Sequence, residues 1–257
     1  MKTLIVDRDE RGVVSVQLNR PEKKNAIDYR MFQELLEVFS EMSDSATDRV
    51  LVLTGVGGNF SAGADLGPGG APERHQLDLM RFYGSVALAL HQLPQPAIAK
   101  VRGVAVGAGL NLALGCDLIC AAPTARLSEI FARRGLSLDV GGSWLLPRLI
   151  GLHRAKELAL LADIISADEA ERIGLVNRIV PDAELDGFVD DWAGRLAAGP
   201  PLALAMSKRL LNHSFAGGMA EALDAEGMAQ AVNTGTEDTK EAFRAFFHKR
   251  EPKFSGR

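Results

Sequence analysis

Alternating apolar and polar runs predict an α/β organisation for the first half of the chain. Three short runs rich in β-branched or small apolar residues are typical of buried strands: Val13–Leu18, Val50–Thr54 and Ala97–Val101. Helical spacing of apolar residues follows Asp28, a good N-cap residue, and helices are also predicted over 73–92 and 107–114. This alternation favours a parallel-rich sheet with ligands bound at the strand ends.

The second half of the chain is predicted to be mainly helical. Helices are expected over 143–150, 154–162 and 167–173, followed by one strand over 176–180 and then almost continuous helix. The prolines Pro200 and Pro201 mark the best internal boundary and open a further helix. We therefore expect a core over residues 1–199 and a helical region over 200–257.

Composition excludes several classes of partner. The 257 residues are 47% apolar and 24% charged, with a net charge of -4, which argues against nucleic acid or an anionic membrane. The two cysteines, Cys116 and Cys120, lack the spacing of a metal site and indicate core thiols in a reducing compartment. Without a signal-like start, the chain is expected to be cytoplasmic. Because its His and Cys residues form no cluster with metal-ligand spacing, it is also expected to bind no metal.

Two glycine-containing segments each follow a predicted buried strand. They are FSAGADL, residues 60–66, within a predicted glycine-rich loop, and GVAVGAGLNLALGCD, residues 103–117. Neither contains a nucleotide-binding glycine motif, and the chain has no GxSxG nucleophile motif. The segments suit either tight packing or an oxyanion hole, in which two backbone N–H groups bind one oxygen.

A single carboxylate in the run GLSLDVGGSW raises a separate question. Asp139 lies between Leu138 and Val140, with Gly141 next along the chain. One interpretation is a turn or a helix N-cap, because aspartate favours both. The other is a proton carrier in an apolar pocket, where burial raises the pKa of a carboxyl.

Several motifs together resemble the crotonase, or enoyl-CoA hydratase/isomerase, superfamily. They are LNRPEKKNAI, FSAGADL, PAIAKVRGVAVGAGLNLALGCDLICAAPTARLSEIF, GLSLDVGGSWLLPRLIG, SADEAERIGLVNRIVP and FRAFFHKREPKF. The resemblance covers nearly the whole chain. It implies an α/β fold with a spiral of ββα repeats and a C-terminal helical oligomerisation region. It also implies a homotrimer or a dimer of trimers.

The resemblance further implies an acyl-CoA substrate, with coenzyme A entering as part of that substrate and no separate cofactor. Ala64 and Ala108 match the two backbone oxyanion donors of the family. The positions expected to contact the substrate are Lys24, Ala62, Asp65, Gly107, Phe131, Phe247 and Lys249. Phe247 and Lys249 would come from a neighbouring subunit. For the lysines, the alternative is a solvated surface.

The family's hydratases carry two glutamates where this chain has Asn111 and Phe131. Neither side chain can carry a proton at neutral pH, which argues against two-glutamate hydration. Glu129 is a possible substitute, but its two-residue offset from Phe131 is expected to point it elsewhere. Asn111 is expected to orient the substrate or a water.

Asp139 matches an aspartate of isomerase members, and the pattern is most similar to the 1,2-epoxyphenylacetyl-CoA isomerase group. The expected function is movement of a double bond in an enoyl-CoA, with Asp139 as the proton shuttle. Three alternatives remain open: an enoyl-CoA hydratase using Glu129 or a water held by Asn111, a non-catalytic acyl-CoA binder, and nucleophilic dehalogenation or thioester hydrolysis by Asp139.

Overall fold

The computed structural model describes residues 1–67 and 72–257. The strands are β1 (Leu4–Arg8), β2 (Val13–Leu18), β3 (Val50–Gly55), β4 (Ala97–Val101), β5 (Val104–Val106), β6 (Leu118–Ala121), β7 (Arg126–Ser128), β8 (Ile165–Ser166) and β9 (Arg178–Ile179). The helices are α1 (Tyr29–Asp44), α2 (Gln76–Gln92), α3 (Ala108–Leu114), α4 (Gly142–Ile150), α5 (Leu152–Leu161), α6 (Ala167–Arg172), α7 (Leu185–Ala197), α8 (Pro201–His213), α9 (Met219–Thr234) and α10 (Glu237–Phe247). Short 3₁₀ turns occur at Pro21–Lys23 and Ile130–Arg134.

Two sheets organise the core. Six strands form one sheet in the order β1-β2-β3-β4-β6-β9, and three form a second in the order β5-β7-β8. All neighbours in the larger sheet are parallel except β1 and β2, which form an antiparallel pair. In the smaller sheet β5 and β7 are parallel, and β8 is antiparallel to β7. This confirms the expected α/β class and its parallel-rich sheet.

Helix α1 shows how the apolar pattern builds the core. The Asp28 side chain accepts a hydrogen bond from the backbone N–H of Met31 at 2.8 Å, which starts the helix as predicted. The buried face of α1 then presents Phe32, Leu35 and Phe39, which join the apolar core under the large sheet. A second apolar cluster lies beneath α7 on the other face of that sheet. The sheet is therefore covered on both faces, as parallel strands require.

The structure corrects several boundaries. Helix α2 begins at Gln76 rather than Glu73, with the His75 side chain accepting from Leu77 N–H at 3.2 Å. The strand predicted over 176–180 is limited to Arg178–Ile179. The glycine-rich stretch is not wholly a surface loop, because Phe60 and Ser61 are buried. Its residues 68–71 lie outside the described residues.

The C-terminal helices present a largely uncovered apolar surface within the single chain. No residue of α8 or α9 is buried. The exposed large apolar residues of this region are Leu202, Leu211, Phe215, Met219, Leu223, Met228, Val232, Phe243, Phe246 and Phe247. The domain boundary at residue 200 stays a prediction. Across the described ranges, every helix is too short or too polar to cross a membrane.

Candidate active site

The two glycine-containing segments lie side by side. Ser61 pairs with β5, its N–H donating to Val104 O at 2.9 Å and its carbonyl accepting from Val106 N–H at 3.1 Å. On the other side, Ile27 N–H donates to Gly63 O at 2.8 Å, and Asp65 N–H donates to Ile27 O at 2.9 Å. The segment over 61–65 is thereby held between residue 27 and the strand that leads into α3.

This packing requires glycine at two positions. Gly63 has a positive φ of 88°, and a Cβ placed on it would lie 2.8 Å from Val106 O and 3.8 Å from Ala108 N. A Cβ on Gly109 would lie 2.6 Å from Ser61 Cβ. Real Cβ atoms do not approach so closely, so side chains here would push the two segments apart.

Two backbone donors remain on these adjoining segments. Ala108 is the first residue of α3, where an N–H has no acceptor within the helix. Within residues 1–67 and 72–257, neither Ala64 N–H nor Ala108 N–H donates to a protein acceptor. Tight packing of the two segments and two N–H groups without a protein acceptor thus occur together in the described residues.

Ala64 and Asp139 line the same cavity, which has a volume of about 720 Å³. Its other lining residues are Ile27, Asp28, Tyr29, Phe32, Asp65, Leu66, Gly67, Gln76, Leu79, Met80, Tyr83, Leu136, Ser137, Leu138 and Val140. Ala108, Asn111 and Phe131 are buried and are not among the lining residues. Tyr29 and Phe32 of α1 were not predicted to line a pocket, since their spacing identifies only an inward-facing helix stripe.

Two of the three carboxylates that line the cavity have cationic partners. Asp65 binds Lys23 and Arg20, each at 2.8 Å. Lys23, the backbone N–H of Gly67 and Arg20 together hold the Asp65 pKa well below its usual range. Asp28 caps α1 and lies 3.4 Å from Arg20. These two carboxylates are therefore structural anions.

Asp139 has no cationic partner among the described residues, and its buried Oδ1 accepts no hydrogen bond. Burial raises the pKa of its carboxyl to about 6. The N-cap interpretation is wrong, because Gly141 occupies that position and no side chain caps α4. At the start of α4, Asp139 uses only its backbone carbonyl, which accepts from Gly142 N–H at 2.9 Å. The carboxyl can thus exchange a proton near neutral pH.

Asn111 forms a hydrogen bond that was not predicted, and its role toward a substrate or a water stays a prediction. Its Nδ2 donates to the Asp139 carbonyl at 2.9 Å, so the amide orients the Asp139 turn, and Asn111 lines no part of the cavity. A Cβ on Gly142 would lie 2.4 Å from that same Nδ2, so glycine allows this contact. Phe131 packs beside Gly107, whose added Cβ would meet its ring at 3.7 Å.

Glu129 is not among the residues that line the cavity, and its orientation away from the substrate stays a prediction. It is fully buried, and the negative charge of Asp139 acts on it. The chain enters a 3₁₀ turn at Ile130, so the alternation of a strand no longer governs where Glu129 points.

The remaining predicted substrate contacts lie in two places. Lys24, in a left-handed turn with φ 51°, accepts a backbone hydrogen bond from Ala62 at 2.8 Å, beside Asp65. Phe247 and Lys249 are exposed at the end of α10 and do not line the cavity of their own chain. Their assignment to a neighbouring subunit stays a prediction. The described part of the chain holds no cluster of three or more metal-ligand side chains.

Comparison with known proteins decides the family. The family model described as Enoyl-CoA hydratase/isomerase matches residues 8–257. The chain belongs to this family. It is 37% identical to the 1,2-epoxyphenylacetyl-CoA isomerase of Escherichia coli over 262 residues, covering 100% of both chains. It is also 34% identical to the crotonyl-CoA hydratase of Syntrophomonas wolfei, covering 98% of each.

Solved structures agree with this family assignment. The enoyl-CoA hydratase of Bacillus anthracis superposes with a TM-score of 0.94 at 33% identity, covering 99% of this chain and 100% of that one. The crotonase-type fold predicted from the motifs is therefore confirmed. The relatives include both isomerases and hydratases, so membership establishes an acyl-CoA enzyme of this family and leaves its reaction to the site residues.

We predict that Gly109→Ala lowers the free energy of unfolding by about 1–3 kcal/mol, the usual cost of overpacking. The new methyl would overlap Ser61. Chemical denaturation measures the change. Gly84→Ala is the control, because a Cβ at this position in α2 meets nothing within 4 Å. Equal effects of the two substitutions would contradict the close approach of the segments.

Proposed function

We propose that the protein is an enoyl-CoA isomerase that moves a double bond along the acyl chain of a thioester. One observation carries this proposal: of the three carboxylates lining the described cavity, Asp139 alone lacks a cationic partner. A carboxyl with a pKa of about 6 can both accept and return a proton near neutral pH. Ala64, the proposed oxyanion donor, lines the same cavity.

The proposed reaction has two proton transfers. The thioester carbonyl acidifies a C–H at its α or γ carbon, and the Asp139 carboxylate removes that proton. The electrons move into a dienolate, whose oxygen accepts from the Ala64 and Ala108 N–H groups. Asp139 then returns a proton at the other end of the three-carbon unit, and the double bond has moved. The enzyme ends as it began, without a resident cofactor.

The burial of the side chains near Asp139 argues against hydration by two carboxylates. Asn111 is engaged with the Asp139 carbonyl, and Phe131 cannot transfer a proton. Glu129 is fully buried and does not line the cavity. A single accessible carboxyl suffices for isomerisation, because after it removes a proton from one carbon it can exchange with solvent and return a proton to another carbon.

The walls of the cavity support an acyl-CoA substrate with a wide acyl group. Tyr29, Phe32 and Tyr83 provide aromatic walls opposite the Asp139 turn. At its edge Lys24 is exposed and forms no salt bridge within the described residues, so we assign it to the anionic coenzyme A portion, together with the backbone at Ala62 and Asp65. The exposed apolar residues of α8–α10 favour a homotrimer or a dimer of trimers, with Phe247 and Lys249 completing a neighbour's site.

A hydratase is the second candidate, because Glu129 does place a second carboxyl beside Asp139. Incubation with crotonyl-CoA distinguishes the two, since a hydratase forms 3-hydroxybutyryl-CoA. A non-catalytic binder would retain acyl-CoA without turnover or solvent exchange. Nucleophilic chemistry at Asp139 would leave an acyl or aryl ester on the protein in single-turnover mass spectrometry.

Asp139→Asn is expected to lower the isomerisation rate by about 10²–10⁴-fold, the usual contribution of a general acid–base group. The amide keeps the size of the side chain and cannot accept the substrate proton. We would measure double-bond movement in a 3-enoyl-CoA, and deuterium uptake into the product in deuterated buffer.

Ser137→Ala is the matched control, because Ser137 lines the same cavity two residues away and carries no titratable group. It should keep both the rate and the deuterium uptake. Isomerisation and labelling by Asp139→Asn at the wild-type level would remove Asp139 from the mechanism.

Ala108→Pro should lower kcat/KM by about 10²–10³-fold, as loss of one oxyanion donor does. Proline is favoured at the first position of a helix, so the substitution removes the N–H while suiting the start of α3. Met219→Pro, at the first position of α9, is the control for proline itself. Circular dichroism checks folding. A folded Ala108→Pro variant with unchanged kcat/KM would exclude this amide from catalysis.

A further inference from the structure

The proposed reaction leaves one buried carboxyl without a part. Glu129 directly follows β7 and has no exposed surface. Across the described ranges, both of its carboxyl oxygens lack a hydrogen-bond partner, and no salt bridge reaches it. An ionised carboxylate without donors is costly to bury, so a family enzyme that keeps one needs a reason for it.

Two further buried acceptor atoms of this region also lack partners within the described residues. Asn111 lies beside Glu129, but its Nδ2 donates to the Asp139 carbonyl at 2.9 Å and its Oδ1 is buried without a partner. Asp139 Oδ1 is likewise buried and unpartnered. With the two Glu129 oxygens, this makes four buried acceptor atoms. A proton on Glu129 would convert one of them into an O–H donor, which an ionised Glu129 cannot provide.

The charges near Glu129 also favour its protonated form. Burial first, and then the negative charge of Asp139, raises the pKa of Glu129 to about 8, and Asn111 offsets this only partly. Arg134, on the following turn, is exposed, and cations of the neighbouring elements form no salt bridge with Glu129 within the described residues. Arg133, on the following turn, binds Asp163 at 2.6 Å, and Arg148 of α4 binds Trp144 O at 2.9 Å. Tyr83 faces Asp139 from α2 across the cavity.

We propose that Glu129 is a positioning residue that stays protonated through the catalytic cycle and supplies an O–H donor to the buried Oδ1 of Asp139. The inference rests on the proposed function, in which Asp139 is the proton shuttle. Glu129 transfers no proton to the substrate. Its neutral form leaves a single negative charge in the site, first on Asp139 and then on the dienolate.

Holding that charge constant has a catalytic consequence. The donor favours the ionised form of Asp139, which is the form that takes the substrate proton. Removing the O–H should therefore change the protonation of Asp139 and not only the packing.

Two substitutions separate these effects. Glu129→Gln keeps a neutral donor, so its kcat/KM should follow the wild-type pH profile between pH 5 and pH 7, on both sides of the Asp139 pKa of about 6. Glu129→Leu removes the donor. The acid limb of its pH profile should move to higher pH. Its kcat/KM at pH 6 should fall by up to about tenfold, because a hydrogen bond to a charged group is lost.

Infrared difference spectroscopy provides the direct readout. The wild type at pH 7 should show a protonated-carboxyl band that is absent in Glu129→Gln and present in Asp139→Asn. A missing band, or a Gln variant whose acid limb moves to lower pH, would show an ionised Glu129 and overturn the inference. If Glu129→Leu fails to fold, the band and the Gln profile still decide. Activity of Asp139→Asn would instead overturn the proposed function, whatever the state of Glu129.

Discussion

The contact between two glycine-containing segments is the constraint on which the site depends. Gly63 and Gly109 let residues 61–65 lie against β5 and the start of α3 at distances that a Cβ would prevent. Because Ser61 uses its N–H and carbonyl to pair with β5, the segment is fixed in register. The N–H groups of Ala64 and Ala108 take no part in that pairing. The donors arise from backbone geometry, and their positions do not depend on side-chain rotamers.

The electrostatics of the cavity follow from which carboxylates receive partners. Arg20 and Lys23 neutralise Asp65, and Arg20 also faces Asp28, so the edge of the cavity carries paired charges. Asp139 lies deeper, between apolar neighbours, and receives no cation in the described part of the chain. Its raised pKa is the consequence of burial without compensation. Groups of this kind are costly for stability and are typical of functional sites.

Much of the fold and of the candidate site could be predicted from the sequence alone. Strands β2, β3 and β4 are short apolar runs that periodicity identifies, and the family motifs place Ala64, Ala108 and Asp139. Strand β1 was missed because LIVDR includes charged residues and only Leu4 is buried. Strands β5, β7 and β8 have two or three residues, too few for a period. The burial of Glu129 could not be predicted, because a 3₁₀ turn follows it and its spacing from Phe131 does not indicate where its side chain points.

The most direct test is a crystal structure with a bound, non-reactive saturated acyl-CoA. The account predicts that the thioester oxygen lies about 2.7–3.2 Å from both the Ala64 and the Ala108 nitrogen. The Asp139 carboxyl should face the acyl carbons next to that carbonyl. A thioester that contacts neither amide, or an Asp139 directed to bulk water with the ligand in place, would contradict the central claim.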